Sequence, residues 1–326
     1  MKNLFFTLSL IFIFTSQLYA QKRYLEPFAD SVIVDTYTYA DKNQHELQLD
    51  LYQPAFDPDQ KRPVLMYVHG GGFAGGVRDE AFISKLCRNV AGYGYVAVSV
   101  SYRLTRKDSV TGFGCDCPAA EKLKTFRAAV EDVQDATYFL IERHEQLGID
   151  PHRIILAGSS AGAETVLNTA LQPPYCYGLN SGPVSYAGVI SMAGAIPDTT
   201  AIYDDSAVPA LFFHGTSDQL VPYATAPHRY CSPGNPGYLI LHGSYTIAER
   251  LRKLGKSYWL HTICGGDHAI ASTPMRDFFD EIIRFCYDFA LNGKKAQVHT
   301  IDEGPQDGRY PEYNFCETET NSNDEN

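Results

Sequence analysis

With 326 residues, 44% hydrophobic and 20% charged, the chain is long and apolar enough to bury a large core and is neither disordered nor fibrous. A formal net charge of −11 argues against nucleic acid as a partner. Beyond the first 20 residues no run of about 18 apolar residues is long enough to cross a bilayer as a helix.

Met1-Lys2-Asn3 precedes an apolar run over 4–14, too short for a membrane span, and Thr15 to Ala20 then offers a small-residue cleavage site. Residues 1–20 therefore read as a cleaved signal peptide, and the protein is expected to be secreted or periplasmic. Residues 21–295 read as one domain. Residues 296–326 read as an acidic, flexible tail, because between 301 and 326 eight acids stand against Arg309 alone. Eight cysteines in an exported chain permit disulfides. Cys115, Cys117, Cys176 and Cys231 lie in loop-like stretches and are the expected bridge formers, whereas Cys87 and Cys286 lie on apolar helical patterns as buried thiols. No cysteine has metal-site spacing, so no metal is expected.

Residues 31–39 and 46–52 alternate apolar and polar positions, which predicts two antiparallel strands. Residues 63–68 form a continuous apolar run, as in a strand covered on both faces, and end in His69-Gly70-Gly71-Gly72. Three glycines in a row expose backbone N–H groups that can approach an oxygen carrying developing negative charge. A helix follows over 81–93, a buried strand over 95–102, a loop over 103–118 and a long helix from 123 that ends near Leu147-Gly148.

The stretch Arg153 to Gly162 joins an apolar run of strand length to a Gly-x-Ser-x-Gly pattern, after which 161–171 continues at helical spacing. Ser160 thus falls on a strand-to-helix turn, held strained and exposed above the sheet edge, where a nucleophile would be displayed. Buried strands are expected at 187–192 and 209–213, a helix at 247–254, a last strand at 257–263 and a closing helix at 278–291. Asp218 and His268 each follow one of these strands. Strands alternating with helices predict a mostly parallel sheet. In such a sheet the loops leaving the strands' carboxyl ends share one edge, so Asp218 and His268 can meet Ser160 there.

On His69-Gly70-Gly71-Gly72, Ser101-Tyr102-Arg103-Leu104, Gly158 to Gly162, Asp218 and His268, the chain resembles the α/β-hydrolases. It is most similar to the carboxylesterase and hormone-sensitive-lipase-like branch, over about residues 30–292. The resemblance implies an α/β-hydrolase fold with a mostly parallel central sheet flanked by helices. It also implies Ser160 as nucleophile, His268 as general base, Asp218 as its orienting carboxylate, and the backbone N–H groups of Gly71, Gly72 and Ala161 as oxyanion hole. No large lid domain is expected, since only 194–208 separates the two strands where lids are often inserted. Among competitors, His214 and His261 fall in strands, His69 belongs to the glycine loop, and Asp204, Asp205 and Asp267 read as surface acids. The chemistry expected is hydrolysis of short-chain acyl esters through an acyl-enzyme, without a cofactor, with carbohydrate-linked acetyl or feruloyl esters among the candidate substrates. A prolyl-oligopeptidase-like peptidase and a non-catalytic hydrolase-like binding protein are the alternatives.

Overall fold

The computed structural model describes residues 23–27, 29–42, 45–180, 182, 184–304 and 313–316. The expected signal peptide and the end of the expected tail lie outside the described residues. Strands β1 (Val32–Lys42) and β2 (His45–Pro54) form the expected antiparallel pair. β3 (Arg62–Val68) and β4 (Val96–Val100) are buried along their whole length. β5 (Ile149–Ser159), β6 (Gly188–Met192), β7 (Ala195–Ile196) and β8 (Ala210–Gly215) follow. β9 (Thr225–Pro227), β10 (Ile240–Gly243), β11 (Tyr258–Cys264) and β12 (Gln297–Glu303) complete the strands.

Nine of them form one sheet in the order β1-β2-β4-β3-β5-β6-β8-β11-β12. β2 runs antiparallel to β1 and β4, and every other neighbouring pair is parallel. Helices α1 (Ala81–Gly92), α2 (Ala119–Glu142), α3 (Ala161–Leu171), α4 (Ser244–Lys253) and α5 (Phe279–Phe285) cover the sheet. One core joins β3, β4 and β5 to α2 and α3 through Val64, Met66, Phe126, Val130, Val166 and Leu167. A second joins the opposite sheet face to α1 and α5 through Leu65, Tyr67, Ile83, Leu86, Ile282 and Phe285. Neighbouring positions of β3 thus serve opposite cores, as the two-residue period of a strand requires. This two-faced burial explains the unbroken apolar run in the sequence.

The structure corrects two expectations. Residues 257–263 are not the last strand: Gln297–Glu303, assigned from sequence to the flexible tail, pairs in parallel with β11 as the edge of the sheet. Its side chains alternate exposed and half-buried: Ile301 and Glu303 face outward, whereas Val298, Thr300 and Asp302 lie on the half-buried face with Asp302 against His261, so no apolar stripe marked the strand in the sequence. The stretch 222–243, to which the sequence pattern assigns no strand, supplies β9 and β10, which form a separate small sheet with β7 in the order β7-β10-β9.

A bridge among the four loop cysteines is present as Cys115–Cys231, closing 116 residues. A second, unanticipated bridge, Cys264–Cys316, ties the end of β11 to the chain beyond β12 across 52 residues. Cys87 and Cys286 are buried free thiols, and Cys117 and Cys176 are also unbridged. Closing loops of this length restricts the unfolded chain by about 4 to 5 kcal/mol each. Reduction is therefore expected to lower the melting temperature, and Cys264→Ala with Cys316→Ala to reproduce part of that fall in calorimetry. An unchanged melting temperature after full reduction, checked by thiol titration, would contradict this.

Candidate active site

Four connections leave the carboxyl ends of β3, β5, β8 and β11 and converge on one edge of the sheet. The backbone of Ser160, between β5 and α3, has φ 50° and ψ −121°, a conformation that side chains avoid. Its N–H donates to the carbonyl of Met192 at 2.9 Å and its carbonyl accepts from the N–H of Glu164 at 2.9 Å, so the turn is held from both sides. α3 passes so close to β3 that a Cβ on Gly162 would stand 2.1 Å from the Val68 carbonyl oxygen. Glycine is required there by contact alone.

The Ser160 hydroxyl lies 2.8 Å from His268 Nε2. His268 Nδ1 lies 2.7 Å from Asp218 Oδ2. A carboxylate only accepts, so Nδ1 carries the proton, and Nε2 is left to accept from the serine hydroxyl. Asp218 is completely buried, and its Oδ1 accepts from the N–H groups of Leu220 at 2.8 Å and Val221 at 2.9 Å. His214, also completely buried, sets Nε2 3.3 Å from Asp218 Oδ2 and 3.1 Å from the Val221 carbonyl, while its Nδ1 lies 2.8 Å from the Ser244 hydroxyl. Burial alone would push the Asp218 carboxyl up, but the hydrogen bonds from His214 and His268 outweigh it and hold the group well below the usual carboxylate range. His214 is thus a second partner of Asp218 and makes no contact with Ser160. The His-x-x-x-Asp spacing at the end of β8 was the sequence signal for this pair.

The glycine loop sits beside the serine. Gly71 has φ 114° and Gly72 φ 60°. A Cβ on Gly71 would stand 2.2 Å from the Gly75 carbonyl oxygen. Ala161 opens α3, so its N–H has no intrahelical acceptor. His69 stacks on Tyr102 at 4.6 Å between ring centroids, and the Tyr102 hydroxyl donates to the His69 carbonyl at 3.0 Å. Arg103, next in the Ser-Tyr-Arg-Leu stretch, donates from its N–H at 2.7 Å and from Nε at 2.8 Å to the buried Asp132 of α2. That stretch therefore braces the glycine loop rather than touching the serine.

The remaining competitors lie elsewhere. His261 is buried and hydrogen-bonded to Asp302 of β12, Asp204 pairs with Lys256 on the surface, and Asp267 caps a short helical turn through the N–H of Ala269. Asp205 is exposed. Ser160, His268, the glycine loop, Leu220, Arg229 and Met275 line one cavity of about 480 Å³. Neither Arg229 nor Glu164 was singled out from the sequence. Glu164, one turn after Ser160 on α3, is buried with Oε1 lacking a hydrogen bond and His228 Nε2 3.9 Å away. Among the described residues no cluster of metal-binding side chains occurs. No helix of the described residues is long and apolar enough to cross a membrane.

The family model described as BD-FAE matches residues 49–174. Esterase LipI of Mycobacterium tuberculosis is 37% identical over 114 residues, 34% of this chain and 30% of that protein. Ethyl acetate hydrolase of Pseudomonas putida is 32% identical over 123 residues, 37% of this chain and 33% of that protein. Chlorogenic acid esterase of Aspergillus niger is 32% identical over 155 residues, 46% of this chain and 27% of that protein. The chain thus spans a third or less of the length of these curated relatives. Among solved structures, Thermogutta terrifontis esterase 2 phosphorylated by paraoxon superposes with a TM-score of 0.58 at 20% identity, covering 79% of this chain and 94% of that one. The same esterase with propionate bound gives 0.56 at 18% identity, covering 79% and 94%. At this identity the likeness shows a shared fold.

Burial pushes the Glu164 carboxyl up to about 8; the positive charges of Arg229 and Lys122 offset part of this and the negative charge of Asp218 adds to it. A carboxyl that holds its proton in the folded state above its unfolded value contributes stability that is complete below about 4.5 and is lost as pH rises toward 8. Glu164→Gln, which keeps the shape of the neutral acid, is expected to melt progressively higher than the wild type as pH is raised from about 5 to 9. A gap that closes over that range in thermal melts would contradict the assignment.

Proposed function

We propose, from the premise that the chain belongs to the α/β-hydrolase superfamily, that it is a serine carboxylesterase acting on short-chain acyl esters. The observation that carries this reading is the continuous hydrogen-bonded series Ser160, His268, Asp218 at a strained turn beside unpaired backbone donors. Ser160 Oγ attacks the ester carbonyl while His268 Nε2 takes its proton, and Asp218, held ionised, stabilises the imidazolium that forms. The carbonyl oxygen, now negative, lies against the N–H groups of Gly71, Gly72 and Ala161. Collapse of this intermediate breaks the bond to the alcohol, which leaves with the proton from His268. Water, deprotonated by the same imidazole, then attacks the acyl-serine; the acid departs and Ser160 recovers its proton. The scheme asks for no cofactor.

Phe82, Ile83 and Met275 offer apolar surface to an acyl group in the cavity. A short one is supported by relatives: one is named for ethyl acetate, and a structural neighbour was solved with propionate and with butyrate. Carbohydrate-linked acetyl esters fall within this class; a feruloyl ester carries a larger aromatic acyl group, and its support is the relative named chlorogenic acid esterase. Two disulfides and the apolar run at 4–14 support export to an oxidising compartment.

Ser160→Ala is expected to lower kcat on p-nitrophenyl acetate by on the order of 10⁶ while melting at the wild-type temperature, and Ser159→Ala to stay within about tenfold. Paraoxon is expected to add a single phosphoryl group to the peptide bearing Ser160, read by mass spectrometry. Full activity in Ser160→Ala, or labelling elsewhere with Ser160 unmodified, would remove the serine from the mechanism. Across p-nitrophenyl esters of rising chain length, kcat/KM is expected to peak between about two and four carbons, since each methylene contributes only about 1 to 3 kcal/mol until the pocket is full.

A further inference from the structure

Arg229 shares the cavity with Ser160 and His268 and is the only lysine or arginine among the residues that line it. Among the described residues its guanidinium has no hydrogen-bond acceptor and no carboxylate within ion-pair distance, and its Nε is shielded from solvent with its bonding capacity unused. Arginine donors removed from water are normally satisfied, because leaving them bare is costly. The backbone is no more relaxed: Arg229 has φ 56° and ψ 22°, and Tyr230 has φ 51°. Two adjacent side-chain-bearing residues in the left-handed region persist only where their surroundings fix them.

Here the surroundings do fix them. The Arg229 N–H donates to the Leu220 carbonyl at 3.2 Å, and Leu220 in turn donates to Asp218, so Arg229 is registered against the same loop that orients His268. His228 donates from its N–H to the Leu239 carbonyl at 2.8 Å, and Cys231 is bridged to Cys115. A strained, cross-linked segment thus presents an unpaired cation beside the reacting serine.

The nearby charges leave that cation available. Lys122 spends its ammonium on the Gly237 carbonyl at 2.8 Å. Glu164 is within electrostatic range of Arg229 but not paired with it, and burial keeps its proton on at neutral pH. The one acid lining the cavity, Glu80, is exposed to solvent at the start of α1. A guanidinium fork in such a place matches a carboxylate in both charge and geometry.

We propose that Arg229 is a specificity-determining residue that receives a carboxylate of the ester substrate, so that the preferred substrates are esters bearing a second, anionic group. This rests on the esterase reading of the Ser160 site. The carboxylate can belong to the acyl part or to the alcohol part, and the choice of esters distinguishes them.

The full chain is assayed by pH-stat on phenyl acetate, on 3-acetoxybenzoate with its carboxylate on the leaving group, and on monophenyl adipate with its carboxylate on the acyl chain. Arg229→Gln is expected to lower kcat/KM for at least one of the anionic esters by about 10- to 100-fold more than for phenyl acetate, with Arg229→Lys in between. In the wild type, added salt is expected to depress the anionic reaction and not the neutral one. Equal losses on all three esters, or none on any, would overturn the proposal. A second measurement separates it from the parent reading: calorimetric titration of the Ser160→Ala protein with the same esters. Tighter binding of an anionic ester, lost when Arg229→Gln is added, supports the anion site even if the wild type hydrolyses none of the three, in which case only the esterase reading falls. Phenyl acetate turnover without any Arg229-dependent preference for the anionic esters leaves the esterase reading standing and removes this one.

Discussion

The arrangement at the sheet edge depends on a single backbone conformation, the left-handed turn at Ser160. Such a residue costs about 1 to 3 kcal/mol relative to relaxed backbone, so it must be over-determined by its neighbours. The neighbours here are all backbone. Met192 at the end of β6 accepts the Ser160 N–H, and Val68 at the end of β3 leaves no room for a side chain on Gly162. Gly158 is confined in the same way, since a Cβ there would stand 2.4 Å from the Gly162 carbonyl oxygen. Because β3 and β6 are the two strands hydrogen-bonded to β5, the turn is gripped by both flanking strands and cannot relax without disturbing the sheet.

Two carboxyls buried within this frame show how hydrogen bonding decides charge. Asp218 and Glu164 are both removed from water, which disfavours ionisation of each. Asp218 has four donors around its two oxygens, from Leu220, Val221, His214 and His268, and stays ionised. Glu164 has an oxygen with no donor at all and keeps its proton instead. The difference matters at the edge of the sheet, since a second ionised carboxylate close to Asp218 would repel it and favour its protonation. His214 therefore serves the site without a bond to the serine: with His268 it helps keep Asp218 charged despite its burial.

The order of strands and helices and the meeting of Ser160, Asp218 and His268 were legible because each rests on local pattern. Continuous apolar runs mark strands buried on both faces, and each of these residues follows such a run directly. What escaped sequence reading was non-local. β12 is acidic and only half-buried, so nothing in its own residues distinguishes an edge strand from a solvated tail; its partner β11 decides the matter. Cys264 and Cys316 become neighbours only after β12 has been laid beside β11. β7, with two residues, and β9, with three, are too short to carry a period, and exist only through pairing with β10. Arg229 lies in a short stretch whose sequence gives no sign of its left-handed backbone or of the cavity it borders.

That same non-local pairing holds the segment that carries Arg229 to the edge of the cavity. The loop over 103–118 and the segment over 222–243, within which β9 and β10 pair, are tied to one another repeatedly. Cys115 is bridged to Cys231, the Gly237 N–H donates to the Cys115 carbonyl at 2.8 Å, and the Ala119 N–H donates to the Pro236 carbonyl at 2.9 Å. Lys122 reaches the Gly237 carbonyl from α2, and β10 pairs with β9 within the segment and with β7 outside it. A side chain carried on such a segment has had its ordering cost met during folding, so a ligand that uses it does not have to fix the chain as it binds. The short connection between β6 and β8 is drawn into the same construction, because β7 lies within it and is pinned by β10. The connection in which a cover over the serine would be inserted is thereby bound, through β7, to the segment that carries Arg229.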